Sequence, residues 1–205
     1  MTLPALDPAR TAVVTIDMHR GHLDPAVATM PLPAEAAARV TAANAVLVRA
    51  ARARGVPVVH VVTGYHDVSE IASNPWWAAV AGTDATRANV LNHQLPGSPG
   101  LEVMPDLLEQ GDVVVTGKKR YDCFAATDLD HVLRSRGVST LLITGVNTNS
   151  CVLATTVAAN TRDYAAVVVE DCVDTMDRTL HEPALAVLRQ AFGWVATLDE
   201  TVAAL

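Results

Sequence analysis

Short runs of β-branched and aliphatic residues recur along the chain: TAVVTID (11–17), VPVVHVV (56–62), DVVVT (112–116), STLLIT (139–144) and AAVVVE (165–170), with WVATL (194–198) a weaker sixth. They are continuous rather than alternating, the pattern of strands buried on both faces. Helical stretches lie between them. Residues 33–54 are rich in Ala and Arg and stop at Gly55, a residue suited to the position just past a helix end. Residues 127–136 open with Thr127, carry Asp130 three positions on and end at Gly137. Residues 150–162 and 180–192 complete the set. This alternation predicts an α/β fold over 1–205, with a doubly wound, mainly parallel six-stranded sheet and helices on both faces. Residues 63–111 break the rhythm. They hold the turn-rich HQLPGSPG (93–100) and one candidate helix at 75–82, and an insertion of this length reads as a functional loop or lid.

In an open parallel sheet, ligands bind beyond the carboxyl ends of the strands, where strand order reverses. The first strand ends at Asp17, in TIDMHRGHLD. The third runs into GKKRYDCF, with Lys118 and Lys119, and the fourth into GVNTNSC, with Cys151. An acid, an ammonium and a thiol are thereby expected on one rim.

Composition narrows the classes. The chain of 205 residues is half hydrophobic, enough for one well-buried domain. It carries 15 basic and 22 acidic residues, a net charge of −7, which argues against a nucleic-acid surface. No apolar run approaches the roughly 20 residues that span a bilayer, so no membrane partner is expected. Nothing in MTLPALDPAR suggests export, and the cysteines at 123, 151 and 172 have no framework spacing. Reduced thiols and a cytoplasmic location follow as expectations.

The three rim groups make chemical sense together. A cysteine attacks as thiolate, so its pKa of about 8.5 must come down. With Cys151 in the first turn of a helix, unpaired N–H groups, the macrodipole and Lys118 are expected to favour the anion. Asp17 is placed to take the thiol proton and pass it to a leaving group, and the turn's N–H groups to hold an oxyanion. Singly, each has a plainer reading: Cys151 as a small apolar residue, Asp17 as a cap, Lys118 as a solvated charge. Their convergence favours catalysis.

Three segments, VVTIDMHRGHLDP, GKKRYDCFAATDLDHVLRSRGVSTLLITGVNTNSCV and DYAAVVVEDCVDT, resemble the isochorismatase-like cysteine hydrolases in order and spacing. That family includes nicotinamidases, N-carbamoylsarcosine amidase, and ureidoacrylate and biuret hydrolases. The resemblance runs from about residue 10 to the end and is weakest at 63–95. It implies a Rossmann-like three-layer sandwich and a Cys–Asp–Lys triad of Cys151, Asp17 and Lys118. It also implies a cis peptide joining Val146 to Asn147, and an oxyanion hole from the N–H groups of Asn147 and Cys151. Relatives commonly form homodimers or homotetramers. Two departures stand out. The family's DMQNDF-like stretch here reads Asp17-Met18-His19-Arg20-Gly21-His22. The metal-binding Asp-x-His of nicotinamidases here reads Gly64-x-His66, so neither a metal nor any other cofactor is expected.

Substrate contacts are less defined. Arg20 suits a carboxylate or is a surface charge. Trp76 and Trp77 wall a pocket or pack the loop; Tyr121 and Phe124 follow Lys118 closely enough to line the cavity. The amide of Asn149, like that of Asn147, binds substrate or caps the helix. Cys123 is a rival nucleophile, Cys172 is read as packing, and His19, His22, His66, His93 and His181 have no assigned role. The leading reading is an amidohydrolase that cleaves a small amide, ureide, carbamoyl compound or lactam through a thioester. The alternatives are a vinyl-ether-cleaving isochorismatase and a catalytically idle scaffold of the same fold.

Overall fold

The computed structural model describes residues 3–205. β1 (Thr11–Ile16) leads through a single turn, α1 (Arg20–Leu23), into the long α2 (Ala34–Ala53) and then β2 (Val58–Thr63). The insertion follows with α3 (Val68–Ala72) and α4 (Pro75–Val80) before β3 (Val113–Lys118). The second half alternates regularly: α5 (Leu129–Arg134), β4 (Thr140–Val146), α6 (Leu153–Asn160), β5 (Ala165–Asp174), α7 (His181–Ala191), β6 (Trp194–Ala196) and α8 (Leu198–Ala204).

The six strands form one sheet in the order β3-β2-β1-β4-β5-β6, and every neighbouring pair is parallel. Strand side chains alternate between two cores, because successive residues of a strand face opposite ways. Val14, Ile16, Ile143 and Val168 pack with Leu133 of α5, Ala159 of α6 and Leu188 of α7. Val13, Val58, Leu142 and Val167 pack with Val40, Leu47 and Ala51 of α2, and Ala196 and Leu205 close that core. A continuous apolar run is what two covered faces require. β3 lies at an edge, and its Val114 is exposed, so there the run does not mark full burial.

Several boundaries differ from the sequence expectation. The fifth helix begins at Leu129 with Asp128, not Thr127, at its N-cap, and Thr127 Oγ1 instead donates to the Cys123 carbonyl. The run at 194–198 is a strand only to Ala196. Thr197 and Glu200 then form a reciprocal capping box that starts α8. Tyr65, Ile71, Trp77 and Val90 of the insertion form an apolar cluster with Met30, from the loop before α2.

Strand order reverses between β1 and β4, which places a crevice at their carboxyl ends. There the two backbones come very close. Gly145 has φ +107°, and a Cβ on it would sit 2.0 Å from the Ile16 carbonyl oxygen. Only glycine fits this approach. One residue on, Asp17 itself adopts φ +52°, a left-handed turn that ends β1.

Candidate active site

Asp17, Lys118 and Cys151 meet in the crevice. Lys118 Nζ donates to Asp17 Oδ2 at 2.6 Å, to Thr63 Oγ1 at 2.7 Å and to Cys151 Sγ at 3.4 Å. The other carboxylate oxygen, Asp17 Oδ1, accepts the Thr63 N–H at 2.9 Å and the Thr63 hydroxyl at 2.8 Å. Asp17 and Lys118 are each 1% exposed, so this is an ion pair removed from water. A buried ion pair persists only when its remaining donors and acceptors are satisfied, and Thr63 does that here.

Burial alone would raise the Asp17 carboxyl. The Lys118 ammonium, with His19, outweighs it and holds Asp17 well below the usual carboxylate range. Burial likewise works against the Lys118 ammonium, but Asp17 and then Cys151 raise its pKa. Cys151 corrects the expectation of a depressed thiol. Burial pushes it up, and Lys118 only partly offsets that. The resting arrangement is an ionised Asp17–Lys118 pair beside a neutral thiol.

The turn bearing Cys151 is not the first turn of a regular helix. Thr148–Val152 form a π-helical turn that precedes α6, and the Val146–Asn147 peptide is cis. The turn is held from several sides. Asn147 Oδ1 accepts the Met176 N–H at 3.0 Å, and Asn149 Oδ1 accepts the Thr175 hydroxyl at 2.6 Å. Thr148 Oγ1 and His181 Nδ1 are 2.9 Å apart, and Arg87 Nη2 donates to Ser150 Oγ at 3.1 Å. Neither asparagine side chain caps the turn. Asn147 Nδ2 is buried with no hydrogen-bond partner, and Asn147 lines the cavity.

That cavity measures about 30 Å³, enough for about two waters. Its walls include Asp17, Lys118, Cys151, Thr63, Asn147 and His22, together with Tyr65, Trp77, Arg87, His93, Arg120 and Tyr121. A wider groove of about 830 Å³ beside Arg39, Glu170 and Arg189 contains none of the triad.

The expected substrate contacts divide. Trp77 and Tyr121 line the cavity, and Trp77 Nε1 donates to the Tyr121 hydroxyl at 2.7 Å. Trp76 is 64% exposed and points away from the cavity wall. Phe124 is buried against Tyr164 in the core. Asn149 is occupied in the turn. Arg20 forms ion pairs with Asp24 and Glu102, both at 2.8 Å, and does not line the cavity. Arg87 and Arg120, which the sequence did not mark, take the wall positions instead. Arg120 sits over the Trp77 ring at 4.6 Å and Arg87 over the Tyr121 ring at 5.2 Å. Thr63 was also missed, although the strand-end rule applied to β2 points to it. Cys123 and Cys172 are fully buried, and burial pushes both thiols up; neither reaches the cavity.

Residues able to hold a metal are not where the Gly64-x-His66 comparison looked. His66 is exposed, its Nδ1 2.8 Å from Glu70 Oε1. His19, His22 and His93 instead converge, all buried, with one ring nitrogen of each within 4.8 Å of the others.

The profile of the Isochorismatase domain matches residues 11–200. Ureidoacrylate amidohydrolase RutB of Methylobacterium radiotolerans is 34% identical over 205 residues, spanning 94% of this chain and 78% of its own length. A cysteine hydrolase from Pseudomonas syringae pv. phaseolicola superposes with a TM-score of 0.85 at 27% identity, over 99% of this chain and 95% of that one. An isochorismatase family protein from Burkholderia thailandensis gives 0.74 at 32% identity, over 100% and 99% of the two chains.

Proposed function

The chain belongs to the isochorismatase family and is a hydrolase of carbon–nitrogen bonds, and we propose that it cleaves a small ureide bearing a carboxylate through an S-carbamoyl intermediate on Cys151, the ureide counterpart of an amide's thioester. The observation that carries this reading is the buried Lys118 ammonium, which bonds Asp17, Thr63 and Cys151 at once.

The chemistry follows from the charges. A fully formed Cys151 thiolate is disfavoured by burial, so proton loss and attack are coupled. As Sγ bonds to the carbonyl carbon, the thiol proton passes to Asp17 and the negative charge moves to the carbonyl oxygen. The backbone N–H groups of Asn147 and Cys151 receive that oxyanion. Collapse breaks the C–N bond, and Asp17 returns its proton to the departing nitrogen. Water then attacks the S-carbamoyl carbon with Asp17 as base, restoring the thiol and releasing carbamic acid, which breaks down to carbon dioxide and the ammonia that is measured. Lys118 keeps Asp17 ionised between steps, and Thr63 fixes the carboxylate's orientation.

The carboxylate preference rests on Arg87 at the cavity wall and on relatives named ureidoacrylate amidohydrolases, whereas the Arg120 guanidinium already donates to the Lys119 and Glu70 carbonyls and to Ser73 Oγ. Guanidinium forks match carboxylates in geometry. The unpartnered Asn147 amide is offered to the ureido group. A reducing, cytoplasmic setting and a homodimer or homotetramer belong to the same reading. The three free cysteines support the first, and light scattering tests the second. Among the described residues, no helix is long and apolar enough to cross a membrane.

Ammonia release across ureides, carbamoyl compounds, simple amides and lactams tests the proposal, with Cys151→Ala as control. Turnover of carboxylated ureides, reduced by about 10³-fold or more in Cys151→Ala, is the expected result. Full activity in that variant would refute a cysteine mechanism.

A further inference from the structure

We propose that His19, His22 and His93 form a binding site for a divalent transition-metal ion of the zinc type, set in the wall of the catalytic cavity. This goes beyond the hydrolase reading and does not depend on it. The three rings come from two distant segments, the turn after β1 and the end of the insertion. Their centroids lie 4.8, 5.6 and 4.6 Å apart, and all three side chains are buried.

Their hydrogen bonding leaves nitrogens for a ligand. His22 Nδ1 is 2.7 Å from the Met30 carbonyl oxygen and must donate to it, which leaves Nε2 as a bare acceptor. His93 Nδ1 is 2.8 Å from Thr29 Oγ1, a hydroxyl that can accept its proton and so allows Nε2 to act as a ligand. An imidazole anchored through one nitrogen to a carbonyl or hydroxyl is the usual outer support of a metal-ligating histidine. His19 is 0% exposed, and neither of its ring nitrogens has a hydrogen-bond partner; Nε2 approaches Asp17 Oδ1 only to 3.6 Å. A wholly buried imidazole without partners is costly unless something binds it.

The donor set fits the ion. Imidazole nitrogen suits zinc and its neighbours, and three protein ligands with one open position characterise a reactive zinc site. Nitrogens bound at about 2.0–2.1 Å to a tetrahedral ion stand roughly 3.4 Å apart. The three nitrogens lie within 4.8 Å of one another, so binding an ion would draw the rings together. His22 and His93 both face the cavity, so an ion there would leave its open position for a small ligand beside the triad.

The test is titration of the metal-free protein with Co²⁺ alone, followed by visible absorption, and with Zn²⁺ by calorimetry. Both are repeated in Cys151→Ala so that thiolate ligation cannot account for binding. One equivalent per chain with tetrahedral cobalt bands is expected. His22→Ala and His93→Ala should weaken binding by more than about 100-fold, Thr29→Val by about 10-fold or more, and His66→Ala not at all. Thr29→Val keeps all three ligands and guards against a variant that simply fails to fold. No saturable binding, or binding unchanged in Thr29→Val and in the histidine variants, would overturn the site. Because the readout uses no substrate, neither failure touches the cysteine mechanism.

Discussion

Thr63 gives both of its hydrogens, one from the backbone and one from the hydroxyl, to a single oxygen of Asp17, and so leaves the other oxygen to Lys118. The hydroxyl is also an acceptor for the same ammonium. One threonine at the end of β2 thus fixes the carboxylate's orientation and fills a coordination place on its counter-ion. Thr63→Val keeps the shape and the N–H but loses the hydroxyl. Activity should fall about 10- to 100-fold, with a stability loss of about 1–3 kcal/mol from the unsatisfied buried groups. Thr63→Ser should restore most of both, as read by steady-state kinetics and urea unfolding.

Lys118→Met leaves a buried carboxylate without its partner, a loss of about 3–5 kcal/mol. The pH dependence should also change. In the wild type the Asp17 pKa is depressed on folding, so its contribution is present above the unfolded value of about 3.9 and is lost as pH falls through the folded one. The Lys118 pKa is raised, so its contribution holds below about 10.4 and is lost as pH rises through the folded value. Wild-type stability from this pair should therefore be flat between about pH 5 and 9. In Lys118→Met, burial raises the Asp17 carboxyl, and stability should decline as pH rises from the unfolded value toward the folded one. Urea midpoints at several pH values measure the difference.

The close approach at Gly145 separates two kinds of glycine. Gly145→Ala would force a Cβ to 2.0 Å from the Ile16 carbonyl, between the two strands that carry Asp17 and the Cys151 turn. Loss of more than about 4 kcal/mol, or of soluble protein, is expected. Gly55→Ala also has positive φ, at +73°, but meets nothing within 4 Å. It should cost about 1 kcal/mol. Thermal denaturation of the pair tests the contrast.

Much of this was legible in the sequence, and the reason is periodicity. Five of the strands are β-branched runs, and the rule that ligands gather at strand ends leads directly to Asp17, Lys118 and Cys151. The losses have physical causes. Thr148–Val152 have the composition of a helix start, and nothing in TNSCV signals a π-helical turn. The Thr197–Glu200 capping box is spelled out, but hydrophobicity alone extends β6 across it. Arg20 looked suited to a carboxylate because of its place after β1, yet Asp24 and Glu102 claim it. Arg87 and His93 sit in an insertion with no periodic signal, so their meeting with Ser150 and His22 is a tertiary fact.

Arg87→Gln should raise KM for a carboxylated ureide by about 10-fold or more, with little change for an uncharged amide. Arg20→Gln should leave both substrates unaffected, since Arg20 faces Asp24 and Glu102 rather than the cavity. Parallel kinetics on charged and neutral substrates decide between these positions.

The proposal that Cys151 carries the acyl group is tested most directly by acid-quenching the enzyme during turnover and measuring intact and peptide masses. The expected result is a substrate-dependent mass increase that maps to Cys151 alone and disappears in Cys151→Ala. Steady turnover with no adduct, or an adduct on Cys123 or Cys172, would contradict it.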